Sequence, residues 1–336
     1  MAVAGCSNLS YYWQAINGHV AVIGHEQPIS DLLQEPDLDP VLRQKLEVAQ
    51  RARRFASEEL ALPDNGSFTS YADLQRPFVT WNVVATPEFS VTPRQWCYLF
   101  AGCFNYRGYF HEQDAQEFAR QLKQQGDDVA IAGVWAYSTL GWFDDPLLNT
   151  MLQHDDADLI GTLFHELAHQ TVYVDDDSSF NESFANAVEQ EGLRRWYQHN
   201  SEPEQYQAFL LHQRQNHEII HMLEATRAKL HSLFASTLSE SQKREEKKAM
   251  FVALKNNYQH WREQNSYSGY DHWMQRDLNN ADLALIATYT DKVPVFLAIL
   301  ASRQGSLPRF YQEVKRIGKL PPTQRQAALE EYTHAP

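Results

Sequence analysis

The sequence Leu163-Phe164-His165-Glu166-Leu167-Ala168-His169 decides the fold of this chain, because it predicts a helix over residues 155–172 with two histidines on one face. Residues four apart on a helix lie about one turn apart, so His165 and His169 can both reach one ion. Glu166 lies about 100° around the helix, where its carboxylate can take a proton from water on that ion. Zinc suits such a pair, since imidazoles bind it and an open coordination position leaves room for water.

The HExxH pattern alone is a moderate signal. In a chain of 336 residues with 14 histidines, it arises by chance in roughly a few of every hundred sequences. The alternative is a helix with partly exposed histidines and no metal. Apolar neighbours surround the motif and argue against that alternative, because burying two histidines and a glutamate without a metal is costly.

A third metal ligand is predicted at Glu182, 13 positions after the second histidine, near the start of a helix predicted over residues 181–197. The polar loop over 173–179 can turn this helix back across the first, which would complete a His₂Glu site. The alternative is a surface glutamate stabilised by the helix dipole. Asn186 and Glu189 share the face of Glu182, so they are candidates to accept a hydrogen bond from a ligand histidine.

The chain resembles a bacterial family of zinc aminopeptidases, predicted lipoproteins of the gluzincin type, whose aminopeptidase activity is itself a family prediction. The resemblance implies a zinc peptidase with one zinc per chain, held by His165, His169 and Glu182, with Glu166 as general base and a peptide as substrate. It runs nearly end to end and includes Cys6, Tyr11-Tyr12-Trp13-Gln14, Leu62-Pro63-Asp64-Asn65-Gly66-Ser67, Tyr106-Arg107-Gly108-Tyr109-Phe110, Asn279-Asn280-Ala281 and residues 137–146, 164–170 and 180–185.

Two features depart from the best-known gluzincins. The gap between His169 and Glu182 is shorter, and Asn186 stands where some of them carry an aspartate. Similarity also implies that residues 134–139 form an edge strand that pairs with the substrate backbone.

Four tyrosines and one serine are candidates for stabilising an oxyanion. They are Tyr106, Tyr109, Tyr137 with its neighbour Ser138, and Tyr289. With 16 tyrosines in the chain, the alternative for each is a packed aromatic side chain.

Charged residues near the motif offer further alternatives. Arg107 can bind a substrate carboxylate, but an ion pair within the protein is favoured. Asp144 and Asp145 can bind a substrate α-amine, but capping of a turn before Pro146 is favoured.

The three cysteines bear on location. Val3-Ala4-Gly5-Cys6 resembles a lipobox, although only five residues precede Cys6, without a basic or apolar segment. The alternative is an ordinary cysteine in a short tail. The lipoprotein interpretation places the protein in the periplasm, and Ser7 favours a lipid anchor in the outer membrane.

In the periplasm Cys97 and Cys103, in extended segments around a turn at Gly102, are expected to form a disulfide. In the cytosol they would be buried thiols.

The pattern along the chain predicts an α+β fold that is mostly α-helical. A small β-sheet packs on a zincin-like HExxH helix, followed by a long helical hairpin and a C-terminal helical bundle. Strands are predicted at 78–84, 96–104 and 129–137, helices at 28–62 and 111–125, a hairpin helix at 203–238 with its partner capped by Ser239 and Gln242, and later helices from Asn280, Pro294, Pro308 and Pro322. The predicted division is a tail over 1–27, a metallopeptidase core over 28–200, and helices over 201–336 that complete the same catalytic unit.

Composition excludes several classes of function. The formal net charge of −14 argues against nucleic acid and against a polybasic membrane patch. The longest apolar run, residues 293–301, falls short of the ~20 residues of a membrane helix.

Taken together, the motif, the resemblance and the composition favour a zinc peptidase of the cell envelope, either an aminopeptidase or an endopeptidase. It would contact a membrane only through Cys6. The alternative is a non-enzymatic envelope scaffold with a structural zinc site.

Overall fold

The structure is a computed structural model that describes residues 26–98, 102–136, 139, 141, 143–175, 177–286 and 292–333. The helices are α1 (Ile29–Leu32), α2 (Pro40–Glu58), α3 (Glu112–Gln124), α4 (Asp156–Thr171), α5 (Ser178–His199), α6 (Pro203–Ala235), α7 (Glu240–Asn265), α8 (Asp271–Gln275), α9 (Asn280–Ile286), α10 (Val293–Ser302), α11 (Leu307–Gly318) and α12 (Pro322–Thr333). The strands are β1 (Gln27–Pro28), β2 (Ser70–Ala72), β3 (Thr80–Pro87), β4 (Trp96–Tyr98), β5 (Gly102–Phe104), β6 (Arg107–Tyr109), β7 (Asp127–Val134) and β8 (Leu147–Leu148).

Of the residues that the structure describes, 62% are helical and the strands are few and short, so the prediction of a mostly helical α+β fold is confirmed. Two compact units interleave along the sequence, one from residues 26–80, 133–206 and 292–333 and the other from 81–132 and 207–286. The division predicted from the sequence, 1–27, 28–200 and 201–336, runs consecutively and stays a prediction. Within the described ranges, no helix is both long and apolar enough to cross a bilayer.

Helix starts in the first unit follow from capping side chains. Asp39 accepts hydrogen bonds from two backbone N–H groups of the first turn of α2, with proline at the first position. Asp155 accepts from the N–H of Asp158 at the start of α4, and Asp177 caps α5 in the same way. Each carboxylate also lies at the positive end of its helix dipole, which stabilises these starts.

The core of the first unit is aromatic. Phe164 on α4, Phe180 and Phe184 on α5, Phe296 on α10 and Phe310 on α11 are all almost fully buried. The rings of Phe180 and Phe296 meet edge to face at 5.1 Å between centroids, and those of Phe184 and Phe310 lie 5.7 Å apart. These contacts fix the C-terminal helices α10 and α11 against α5.

A small sheet in the first unit has the strand order β1-β2-β8, antiparallel and then parallel. The second unit contains a sheet of order β6-β3-β7 and the hairpin of β4 and β5. Its long hairpin of α6 and α7 buries Ile219 and Leu223 on one helix against Leu254 and Tyr258 on the other. The predicted capping box of Ser239 and Gln242 starts α7 and is confirmed.

The third predicted strand ends earlier than expected. Strand β7 stops at Val134, so the described residues of the expected edge strand over 134–139 do not continue it. The backbone N–H of Thr139 donates instead to the carboxylate of Asp145, and the carbonyl of Trp135 accepts from the hydroxyl of Thr150. Loop contacts therefore use backbone groups that a longer strand would have offered to a neighbour.

Candidate metal centre

The histidines of the HExxH motif lie on α4, which is buried on most sides. Leu163, Phe164 and Leu167 have no exposed surface, and His169 is itself buried. His165 and Glu166 are half-buried. The two imidazoles are therefore largely shielded from bulk solvent.

Helix α5 crosses α4 closely because two glycines face the contact. A Cβ at Gly161 would lie 3.0 Å from a carboxylate oxygen of Glu189, and one at Gly192 would lie 2.6 Å from the ring of Phe164. Without these side chains the helices can approach far enough for acidic groups on α5 to reach the histidines on α4.

Asn181 fixes the turn between the two helices. Its side chain, 3% exposed, accepts a hydrogen bond from the N–H of Val174 and donates one to the carbonyl of the same residue, each 2.8 Å long. This two-point contact folds the loop back on α5. It places the next residue, Glu182, opposite the histidines.

Side-chain atoms of the three predicted ligands lie close together. The Nε2 atoms of His165 and His169 lie 3.1 Å apart. The carboxylate of Glu182 lies 3.4 Å from Nε2 of His165 and 3.8 Å from Nε2 of His169. Tetrahedral zinc with bonds of about 2.0–2.1 Å separates neighbouring ligand atoms by roughly 3.3–3.4 Å, so these three residues fit a zinc ion.

The region carries more negative than positive charge. Glu166, Glu182 and Glu189 surround the two imidazoles, and among the described residues no lysine or arginine forms an ion pair with any of the three. A divalent ion would compensate carboxylates that are concentrated in a buried place without a lysine or arginine partner.

The charges shift the pKa values of the site. Burial raises the pKa of Glu166 to about 7, and the neighbouring carboxylates of Glu182 and Asp145 add to this effect. Burial, together with the charge of His165, lowers the pKa of His169 to about 4. His169 is therefore neutral at pH 7, the form in which an imidazole binds a metal.

The sequence predicts that Asn186 and Glu189 lie beside the metal ligands, and the structure gives a contact with a ligand histidine for Glu189. Glu189 reaches the other ring nitrogen of His165, with Oε2 3.2 Å from Nδ1. Asn186 is half-buried on α5, and its role stays a prediction. Nδ1 of His169 is buried and has no hydrogen-bond partner within the described residues.

A loop network not predicted from the sequence borders the C-terminal turn of α4. Gln170 accepts a hydrogen bond from the amide of Asn65 (2.8 Å) and donates one to the hydroxyl of Ser67 (3.1 Å). Arg53, buried in α2, donates to the backbone carbonyls of both loop residues. The turn-forming residues between Leu62 and Ser67 were a possible sequence signal for this network, because their polar groups need hydrogen-bond partners.

Asp144 and Asp145 accept hydrogen bonds from backbone N–H groups of two different segments, and only the partner of Asp145 lies in the loop before Pro146. Asp144 accepts from Gly66 at 3.1 Å, and Asp145 accepts from Thr139 at 2.8 Å. Asp145 is 3% exposed and is one of the charges that act on Glu166, a proximity that the sequence did not indicate.

Several predicted residues belong elsewhere or are not described. Tyr106 is exposed and Tyr109 is buried in β6 of the second unit, where the guanidinium of Arg107 lies 4.8 Å from the centroid of the Phe118 ring.

Cys97 and Cys103 are register partners in β4 and β5 and are joined by a disulfide in the structure. The formation of this disulfide in cells stays a prediction. The remaining candidates, Cys6, Tyr137, Ser138 and Tyr289, lie outside the described residues.

Sequence reasoning missed a second HExxH pattern, His217-Glu218-Ile219-Ile220-His221, on α6. Its histidines are exposed, and Glu218 accepts a 2.7 Å hydrogen bond from the indole of Trp261. Within the described residues, the only group of three or more candidate ligands that converges is His165, His169 and Glu182. The third ligand therefore distinguishes the first motif from the second.

Comparison with protein families matches residues 10–329 to a family described as "Putative aminopeptidase". The match covers nearly the whole chain. Neither the curated proteins nor the solved structures contain a significant match.

Proposed function

The chain belongs to the putative aminopeptidase family, and on this premise we propose that it is a zinc-dependent aminopeptidase whose metal is held by His165, His169 and Glu182. The observation that carries the proposal is the convergence of two Nε2 atoms and one carboxylate within 4.8 Å of one another, on two helices that cross closely. The acidic surroundings, in which no described lysine or arginine pairs with these carboxylates, support a divalent ion as a balancing charge.

A zinc ion in this place would polarise the scissile carbonyl and lower the pKa of the attacking water. Glu166 is the proposed general base, because it follows the first ligand directly and lies beside the ligand face of α4. Glu189 holds the imidazole of His165 in one orientation through Nδ1. Buried Asp145 adds negative charge near Glu166, which favours proton uptake by that carboxylate.

The proposed location is the periplasm, with a lipid on Cys6 as an anchor to the outer membrane. The lipobox-like residues before Cys6 and the disulfide between Cys97 and Cys103 support it, since disulfides persist in oxidising compartments. Fractionation of cells expressing the native gene tests it, with Cys6→Ser as the comparison. Recovery of the wild type with cytosolic markers would contradict it.

The deciding experiment compares wild type with Glu166→Gln on a mixed peptide library, together with the zinc content of each protein. We expect the variant to keep its zinc and to lose at least about 10²-fold in kcat, the usual scale of general acid–base catalysis. Glu218→Gln is the matched control, since it makes the same change in the other HExxH pattern and should leave turnover unchanged.

Two further outcomes separate the alternatives. A structural-zinc scaffold would bind zinc and hydrolyse no peptide in the wild type. An aminopeptidase should cleave a peptide with a free N-terminus and spare the same peptide after N-acetylation, whereas an endopeptidase would cleave both.

A further inference from the structure

We propose that His217 and His221 on α6 form a second, surface metal site for a divalent transition-metal ion such as Cu²⁺, Ni²⁺ or Zn²⁺. Their Nε2 atoms lie 3.0 Å apart, close to the 3.1 Å between the two histidines on α4. Their rings meet edge to face with centroids 4.4 Å apart, against 4.8 Å in the first pair. Both pairs thus already hold their nitrogens close enough to bind one ion.

The second pair faces solvent because of its position on the helix. Ile219 and Leu223 pack in the core of the second unit and are almost fully buried. Residues 217 and 221 are two positions before and after Ile219, which puts them about 160–200° away from it around the helix. Both imidazoles are accordingly exposed, so an ion can reach them without any rearrangement of the core.

A carboxylate also lies beside one imidazole of this pair. Oε2 of Glu224 is 3.7 Å from Nδ1 of His221, on the side of the ring where Glu189 meets His165 in the first site. At this distance the carboxylate is not a hydrogen-bond partner of the ring, but its negative charge lies close to the place of the ion and favours a bound cation.

The donor set predicts how this site differs from the first. Glu218 is engaged by the indole of Trp261, and no third ligand joins the two histidines among the described residues. Two imidazoles with water in the remaining positions bind more weakly than a buried His₂Glu set. The expected order of affinity is Cu²⁺ above Ni²⁺ and Zn²⁺, because that order holds for nitrogen ligands that impose no geometry. No catalytic role is proposed for this site.

The test adds Cu²⁺ to the full chain already loaded with one equivalent of zinc, and follows it by calorimetry and by electron paramagnetic resonance. We expect a further equivalent of Cu²⁺ with hyperfine structure from imidazole nitrogens, while the zinc content of the chain stays at one equivalent. His217→Ala and His221→Ala should each weaken it at least about tenfold, since even the loss of a partner outside the ligand set costs about 10–100-fold. His231→Ala, at another exposed histidine of α6, is the control and should bind Cu²⁺ as the wild type does.

Two results would overturn the proposal: a wild type that takes up no further copper, or a His217→Ala variant that takes it up with unchanged affinity. Because both histidines are exposed, the variants should fold, and a thermal melt checks this. The outcome is independent of the peptidase proposal, since peptide hydrolysis by the zinc-loaded chain should be the same in His217→Ala as in wild type.

Discussion

The carboxylate of Glu189 lies 3.2 Å from Nδ1 of His165, on the opposite side of the imidazole from the nitrogen that faces His169 and Glu182. Donation from Nδ1–H to this carboxylate leaves Nε2 with a free lone pair toward the ligand cluster. The contact also fixes the plane of the ring. One helix, α5, therefore supplies both a candidate ligand and the group that orients another ligand.

Replacing Glu189 should weaken zinc binding without removing it. We expect Glu189→Ala to lower zinc affinity by about 10–100-fold, because the imidazole of His165 loses the partner that orients it. Competition with a chromophoric chelator measures the affinity. Gln190→Ala, one position further on α5, is the control; equal affinities in the two variants would show that Glu189 does not orient His165.

Glu182 should matter more to zinc than Asn186 does. Glu182→Gln removes a charged ligand, whereas Asn186→Ala changes a neighbour four positions along the same helix. We therefore expect zinc affinity to fall further in Glu182→Gln, by more than the 10–100-fold typical of groups outside the ligand set. The ranking is contradicted if the two variants bind zinc equally well in the same chelator competition.

Gly161→Ala should disturb the crossing of α4 and α5. The added methyl group would meet the side chain of Glu189 at 3.0–3.2 Å and that of Leu193 at 3.2 Å. We expect a loss of about 1–3 kcal/mol in the free energy of unfolding from overpacking, only partly offset by the better helix propensity of alanine. Zinc affinity should fall in parallel, because Glu189 is displaced from His165. Chemical denaturation with and without zinc measures both effects, and a variant as stable as wild type with unchanged zinc affinity would refute this view of the contact.

Cys97 and Cys103 should be oxidised in protein isolated from the envelope. They are opposite each other in a two-stranded hairpin, so the bond closes without rearrangement of the backbone. Alkylation under non-reducing conditions followed by mass spectrometry should find neither thiol modified. Modification of both would mean that the protein folds in a reducing compartment.

Acid should remove the stability that Glu313 contributes. Hydrogen bonding by Arg316 is the largest cause that lowers the pKa of Glu313, to about 2, and Tyr332 and Arg303 act in the same direction. Because the folded pKa lies below the ordinary value of 4.5, this contribution is complete above about pH 4.5 and is lost as the pH falls toward 2.

The measurement compares the free energy of unfolding of wild type and Glu313→Gln between pH 6 and pH 2.5. The wild type should be more stable by about 1–3 kcal/mol at pH 6, an amount reduced by solvent around Arg316. The difference should shrink on acidification. A difference independent of pH would mean that the carboxylate charge contributes nothing.

Local signals were enough to predict most helix positions. Asn280, Pro308 and Pro322 lie at the predicted helix starts, and Ser239 with Gln242 forms the predicted capping box. These features depend on residues within a few positions of one another, which a sequence displays directly. The extent of β7 was predicted wrongly, because the backbone beyond Val134 bonds to Asp145 and Thr150 rather than to a strand.

Contacts between distant segments were beyond local patterns. Gln170 bonds to Ser67 across 103 positions, and Asp145 approaches Glu166 through a loop that the sequence marked only as a turn. Likewise, the interleaving of the two units cannot be seen in composition or periodicity. Such contacts depend on how buried surfaces match in space, which is decided by the packing of the whole chain.

The two HExxH patterns divide what the sequence determines from what the tertiary structure decides. By itself, the sequence places each pair of histidines four residues apart on a helix, which puts both imidazoles of a pair on one face. In the structure the Nε2 atoms of each pair lie about 3 Å apart. Only packing distinguishes them. Close crossing of α4 and α5 adds Glu182 and Glu189 to the first pair in a buried place, whereas Ile219 turns the second pair outward to solvent.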